Sequence, residues 1–179
     1  MLEDEWLKWK LRRGSRDALA RAYEKYIDAM LTLAMGLLNQ RAAAEDVVQD
    51  VFLSFARSAK DLRPHGSLRS YLATCVLNRV RDSRRQCLRQ ARRDAGLCVS
   101  AESAGPDRTV ILAEQAARLN EAVAELPEEQ REVVLLRLKA NLKFREIAQL
   151  QQTSINTVLG RYHYGLDRLR SQLNGEVEP

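Results

Sequence analysis

A chain of 179 residues, 45% of them hydrophobic, has material for one large domain or two small ones, and its 8 glycines, 4 prolines and 6% aromatic content favour helices over sheet. A net charge of +5 points only weakly toward a polyanionic partner. No apolar run reaches the length of a membrane span and Glu3-Asp4-Glu5 is acidic where a secretory leader would be basic, so a cytoplasmic protein without membrane insertion is expected. Cys75, Cys87 and Cys98 form no C-x-x-C pair, and neither His65 nor His163 is placed to join them in a metal site; reduced thiols are expected.

A charged helix is expected over 5–13, with Trp6 and Trp9 near one face; Gly14 ends it and Ser15 can cap the next. From Asp17 to Leu38 apolar residues step by three and four (Leu19, Tyr23, Tyr26, Met30, Leu33, Leu37), which predicts a long helix with these side chains in the core. After a turn at 39–41 a third helix runs to about Ala59. Val47, Val48, Val51, Phe52 and Phe55 form its buried stripe. Asp46 and Asp50, four apart, place two carboxylates on one side with Gln49 beside them, and no basic residue lies within 44–55 to neutralise them. Such a face can dock a basic helix or stand idle in solvent, and these residues alone leave both open.

Asp61 to Ser67 reads as a loop by its Pro64 and Gly66. A helix follows from Leu68 to about Gln90, with Leu68, Tyr71, Leu72, Cys75, Val76 and Val80 inward. Between Asn78 and Arg93 there are seven arginines (79, 81, 84, 85, 89, 92 and 93) against Asp82 alone, a local net charge of +6. A single-sign run repels itself unless a polyanion relieves it. Residues 94–107 lack periodicity and read as a linker.

Helical pattern resumes near Val110. Leu119, Val123 and Leu126 belong to one helix; Pro127 opens another carrying Val133, Val134, Leu135 and Leu138. Two closely spaced helices follow at about 144–151 and 155–172, the second with Ile155, Val158, Tyr162, Leu166 and Leu169 as its stripe. A short helix, a tight turn and a longer basic helix describe a helix-turn-helix. Ala148 allows the close crossing, and Ile155 and Val158 pack the second helix on the first. Asn156, Thr157, Gly160, Arg161 and Tyr164 then face a major groove, with Ser154 as the cap. A plain three-helix bundle has the same pattern.

In order and spacing, four stretches resemble the bacterial RNA polymerase sigma factors of the sigma-70 family, in the branch with extracytoplasmic function (ECF). They are Ala44-Glu45-Asp46-Val47-Val48-Gln49-Asp50-Val51-Phe52-Leu53; Leu68-Arg69-Ser70-Tyr71-Leu72 through Asn78-Arg79-Val80-Arg81-Asp82; Leu126-Pro127-Glu128-Glu129-Gln130-Arg131-Glu132-Val133-Val134; and Glu146-Ile147-Ala148 with Thr157-Val158 and Arg161. The resemblance implies an all-α protein of two small helical domains joined by a flexible linker: residues 1–92 as region 2, 93–112 as linker and 113–175 as region 4. It implies that Asp46, Gln49, Asp50 and Leu53 dock the coiled coil of the polymerase β′ subunit. Arg63, His65, Tyr71, Asn78, Arg79, Arg81, Arg84 and Arg85 would read the −10 element, where the non-template strand is unpaired and a base is captured outside the stack. Ser154, Asn156, Thr157, Gly160, Arg161 and Tyr164 would read the −35 element as duplex, in a unit that also contacts the β flap. The implied activity is promoter-directed initiation without catalysis or cofactor, held in check by an anti-sigma factor covering the docking surfaces.

The chain departs from the family pattern at three places. Gln152 stands where a turn glycine is common, and a non-glycine residue in a left-handed turn costs about 1 kcal/mol. Lys143 stands where a serine cap is common, a loss of about 1 kcal/mol. Leu159-Gly160 replaces a common Lys-Ser pair; Gly160 weakens its helix by about 1 kcal/mol but lets backbone approach DNA. A polymerase-independent helix-turn-helix regulator is the competing expectation, and it gives the carboxylate face and the arginine run no task. An enzyme would need a catalytic triad, a phosphate-cradling glycine loop or a metal-ligand set, and the sequence offers none of these.

Overall fold

The computed structural model describes residues 2–61, 66–93 and 110–174. Their regular structure is eight helices, with no strand among the described residues: α1 (Leu2–Arg12), α2 (Arg16–Leu38), α3 (Arg41–Ser58), α4 (Leu68–Arg93), α5 (Val110–Ala124), α6 (Glu128–Leu138), α7 (Phe144–Gln151) and α8 (Ile155–Asn174). The expected linker lies outside the described residues from 94 to 109, as do Arg63, His65 and Cys98.

Helix α2 begins where Ser15, in extended backbone, accepts the Ala18 N–H at 3.3 Å. It ends where Asn39 turns left-handed (φ 52°) and returns its N–H to Met35 O at 2.8 Å. Between these caps Ala18, Ala22, Tyr26, Met30, Leu33, Ala34 and Leu37 are buried. The alanines let neighbouring helices approach, and each large side chain contributes about 1.5–3 kcal/mol of burial. Against this stripe lie Val47, Val48, Val51, Phe52 and Phe55 of α3 and Leu68, Leu72, Val76, Leu77 and Val80 of α4.

Polar anchors hold α1 to this three-helix core. The Asp4 carboxylate accepts from the Tyr26 hydroxyl, from Lys25 Nζ at 3.3 Å and from the Leu68 N–H at 3.3 Å, so it also caps the start of α4. Lys8 is buried, and its ammonium donates to Glu5 at 2.6 Å and to the Gly66 carbonyl at 2.5 Å. Burial and the Asp4 contact push the Tyr26 hydroxyl up to about 12.

The second unit, α5–α8, packs Val133, Val134 and Leu136 with Ile147, Ala148, Val158 and Leu169. Gly165 is required there, because a Cβ on it would stand 2.9 Å from Val134 Cγ2. The two units touch: α5 and α6 lie on α2, and a Cβ on Gly36 would meet Leu135 Cδ2 at 2.8 Å.

Tyr23, expected in the core, is on the surface at 48% exposure, and Leu138 is exposed as well, at 55%. Tyr23 lies on the α2 stripe next to the buried one, and Leu138 is the last residue of α6, past its neighbours.

Burial alone would raise the Asp4 carboxyl pKa, but hydrogen bonds from Tyr26, Lys25 and Leu68 outweigh it and hold the group below its ordinary 3.8. A depressed carboxylate contributes stability that is present above its unfolded value and lost as pH falls through the folded one. Docking of α1, read by fluorescence of Trp6 and Trp9, should therefore stay constant from neutrality to about pH 4 and fail below it. Asp4→Asn should lower the melting temperature at pH 7 and remove the acid step. An identical acid titration in both proteins would contradict this role.

Candidate functional site

Between α2 and α3 runs a groove of about 860 Å³ with an apolar floor and a polar rim. Leu19, Tyr23, Ile27 and Leu31 line it from α2, and Val48, Phe52 and Leu53 from α3; Arg16, Glu24, Glu45 and Gln49 stand at its edge. The Tyr23 ring meets Phe52 edge-on at 4.9 Å. Leu53 is 49% exposed, and Asp46 and Gln49 are exposed beside it. This shape suits the apolar stripe of a partner helix. The α2 wall was missed from sequence, although its signal was present: 19, 23, 27 and 31 form a second i+4 stripe beside 18, 22, 26 and 30, an apolar arc wider than α3 and α4 cover.

Asp50 differs from its neighbours on α3. Arg79 of α4 donates to its Oδ2 from Nε at 3.2 Å and from Nη2 at 2.5 Å. A residue expected to dock polymerase and one expected to hold DNA thus neutralise each other across two helices.

The α4 set does not form one cationic face. Asn78 and Arg85, two turns apart, are exposed, and Arg85 lies 3.6 Å from Asp82. Residues two apart on a helix diverge by about 200°, so Arg81 points away from Arg79 and toward α6. There its Nε and Nη2 form a two-pronged pair with Glu132 Oε1 and Oε2 at 3.0 and 2.6 Å, and the Glu132 side chain is only 4% exposed. Arg84 donates to the Leu37 carbonyl at 2.5 Å, at the end of α2 where a cation offsets unpaired carbonyls, and also to the Glu128 carboxylate. Tyr71 is half-buried with its ring 6.3 Å from Phe55, and burial with neighbouring Cys75 raises its hydroxyl pKa.

The helix-turn-helix keeps its geometry without the usual residues. Lys143 supplies no cap, since an ammonium has no lone pair to offer; instead Glu146 Oε2 reaches back to the Lys143 N–H at 2.7 Å. Gln152 takes the left-handed conformation itself (φ 53°), and Thr153 N–H closes the turn on Ala148 O at 3.0 Å. Ser154 Oγ accepts the Thr157 N–H at 3.0 Å. Phe144 and Tyr162 stack edge-on at 5.2 Å, joining α7 to α8. Ile155, expected to pack α8 on α7, is 39% exposed; as the first residue of α8 it lies beyond the crossing, which Val158 fills one turn later.

Asn156 and Thr157 are exposed, Tyr164 is 70% exposed, and the space around Gly160 is open to 4 Å. Arg161 is half-buried, donating to Gln151 Oε1 at 2.9 Å and to Glu129 Oε2 at 2.5 Å. The outward face can therefore offer a cap hydroxyl, an amide, a phenol and bare backbone, with its guanidinium held by carboxylate.

Comparison with known proteins agrees with this geometry. Residues 22–92 match the family model described as Sigma-70 region 2, and residues 116–169 match Sigma-70, region 4. The sigma factor CarQ of Myxococcus xanthus is 28% identical, with 94% of this chain and 96% of the relative covered. The ECF sigma factor SigW of Bacillus subtilis is 23% identical, covering 92% and 93%. Among solved structures, the sigma factor RpoE with the anti-sigma factor NepR from Bartonella quintana is similar in fold, with a TM-score of 0.76 at 21% identity over 89% of this chain and 98% of that one.

Because Gln152 holds a left-handed backbone, Gln152→Gly should stabilise the protein by about 1 kcal/mol and raise the melting temperature by about 2–4 °C. An unchanged or lowered melting temperature would mean that the glutamine side chain compensates for its backbone.

Proposed function

The chain belongs to the sigma-70 family of RNA polymerase sigma factors, in its ECF branch, and we propose that its two helical units divide the family's work as follows. The protein binds core polymerase and promoter DNA and directs initiation. Residues 1–92 dock the polymerase and engage the −10 element, residues 113–175 engage the −35 element, and 93–112 join them. The protein works in the cytoplasm.

The α2–α3 groove is the observation that carries this reading. An apolar floor rimmed by Glu24, Glu45 and Gln49, with Asp46 exposed on the same helix, fits an amphipathic, basic-edged helix such as one arm of the β′ coiled coil. On α4, Asn78, Arg79 and Arg85 are accessible to a displaced single strand, with Arg81 and Arg84 available once released from α6. On α8, Asn156, Thr157, Arg161 and Tyr164 meet the major groove, and open space at Gly160 permits close backbone approach. RpoE of Bartonella quintana is bound by NepR; an anti-sigma factor of this chain would compete with polymerase for the α2–α3 groove.

Because Asp50 is tied to Arg79, its reversal would disturb two tasks at once, and Leu53 and Asp46 make the cleaner test. Leu53→Glu and Asp46→Lys should each weaken core binding about tenfold or more, the loss of about 1.4 kcal/mol, while leaving the melting temperature unchanged. Wild-type affinity in both variants would move the docking surface off α3.

A further inference from the structure

We propose that this protein reads its −35 element as A·T pairs: Asn156 takes an adenine edge, Ile155 takes a thymine methyl, and no arginine reads guanine. This rests on the proposed role of α8 as the helix in the major groove and deepens it, from the kind of DNA to its base composition.

A recognition helix meets base edges with its first turns, so the side chains there decide which bases are read. On α8 they follow from the helical period, each residue turning by about 100° from the last. With Asn156 at the centre of the outward face, Gly160 falls one turn on. Ile155 and Leu159 lie on one flank, Thr157 and Tyr164 on the other. Val158, Gly165 and Leu169 fall on the opposite side and are buried. Between Ser154 and Tyr164 the only arginine or lysine is Arg161. It is turned by about 140° from Asn156, toward the buried side. Its Nη1 donates to Gln151 Oε1 at 2.9 Å and its Nη2 to Glu129 Oε2 at 2.5 Å, with the side chain 22% exposed. Gln151 is held in turn, through its Nε2, by Glu132 Oε2 at 3.0 Å. A guanidinium so placed braces α8 against α6 and α7. It meets the groove at its wall and has no terminal nitrogen pair free for guanine O6 and N7.

What remains on the face suits an A·T edge. The Asn156 amide is exposed and has no hydrogen-bond partner among the described residues. Its Nδ2 donates to adenine N7 while its Oδ1 accepts from the adenine N6 amino group, the two-pronged pairing that sets adenine apart in the major groove. Ile155 is 39% exposed and half-buried Leu159 lies one turn on, so the flank beside Asn156 is apolar. The thymine C5-methyl is the apolar group of the major groove, and G·C pairs lack it. Gly160 presents bare backbone, open to 4 Å where a Cβ would stand, so α8 sits deep with no side chain there to choose a base. The Ser154 and Thr157 hydroxyls are 2.9 Å apart and Ser154 also accepts the Thr157 N–H, so they fix the helix start and do not sort bases. Attraction to phosphate comes from outside this face, from Lys143 and Arg145 at the start of α7 and Arg168 farther along α8, all exposed.

The test is a selection from duplexes randomised over the −35 region upstream of a fixed −10 element. One arm uses the full chain alone and the other the chain with core polymerase, and the retained duplexes are sequenced. The wild type should enrich A·T pairs in both arms, with one adenine position dominant. Asn156→Ala should lose about tenfold at that adenine. Ile155→Ala should lose less, at a neighbouring thymine, and uracil there, which lacks the methyl, should weaken wild-type binding to the same extent. Both side chains are exposed, so melting temperatures should hold. Leu159→Lys with Gly160→Ser places a cation on the face and should bring guanine into the selected sequences. G·C enrichment by the wild type that survives Asn156→Ala and disappears in Arg161→Gln would overturn the proposal, as would the absence of any base preference in both arms. A·T enrichment by the free chain without binding to core would uphold the base reading and remove the polymerase-docking reading instead.

Discussion

Everything in this protein is hung on the burial of α2. Its 23 residues carry an apolar arc so wide that one neighbour cannot cover it. One edge takes α3 and α4 and makes the first core. The far end, from Leu33 to Leu37 with Gly36 between, takes α5 and α6. The remaining edge, Leu19-Tyr23-Ile27-Leu31, stays open and becomes the groove. Core, inter-unit contact and open groove thus all draw on one helix, so a change on α2 that preserves its helix can still alter each of them.

Charge does a different job from burial. Exposed ion pairs such as Arg41–Glu45 or Arg170–Asp167 contribute at most about 1 kcal/mol each. Arg81–Glu132 is more enclosed, and the desolvation of both groups offsets much of their attraction, so it adds specificity more than stability.

Helix order, most helix ends and most of the two cores were legible in the sequence because they follow from local rules, while α1 starts three residues before its expected bound and α4 runs about three past its own. Ser15 and Ser154 cap where they stand, and α7 spans the residues its pattern predicts. The carboxylate face of α3, the arginine run and the helix-turn-helix were visible as composition on a face. What the sequence hid was tertiary. Nothing local pairs Arg79 with Asp50 or, 51 positions apart, Arg81 with Glu132. Tyr23 and Ile155 kept the right period but stay exposed, Tyr23 touching Phe52 at the edge of the open groove. At Lys143 and Gln152 the expected residues were absent and the backbone kept its form: Glu146 accepts the Lys143 N–H, and the Thr153 N–H closes the turn on Ala148 O.

The most direct measurement is run-off transcription by core polymerase on a pool of genomic fragments, with and without this protein. Discrete transcripts that appear only with the protein, each preceded by a shared pair of −10 and −35 elements, are the predicted result. Tight binding of the free protein to duplex DNA, with no initiation on any fragment, would contradict it and leave a polymerase-independent regulator as the answer.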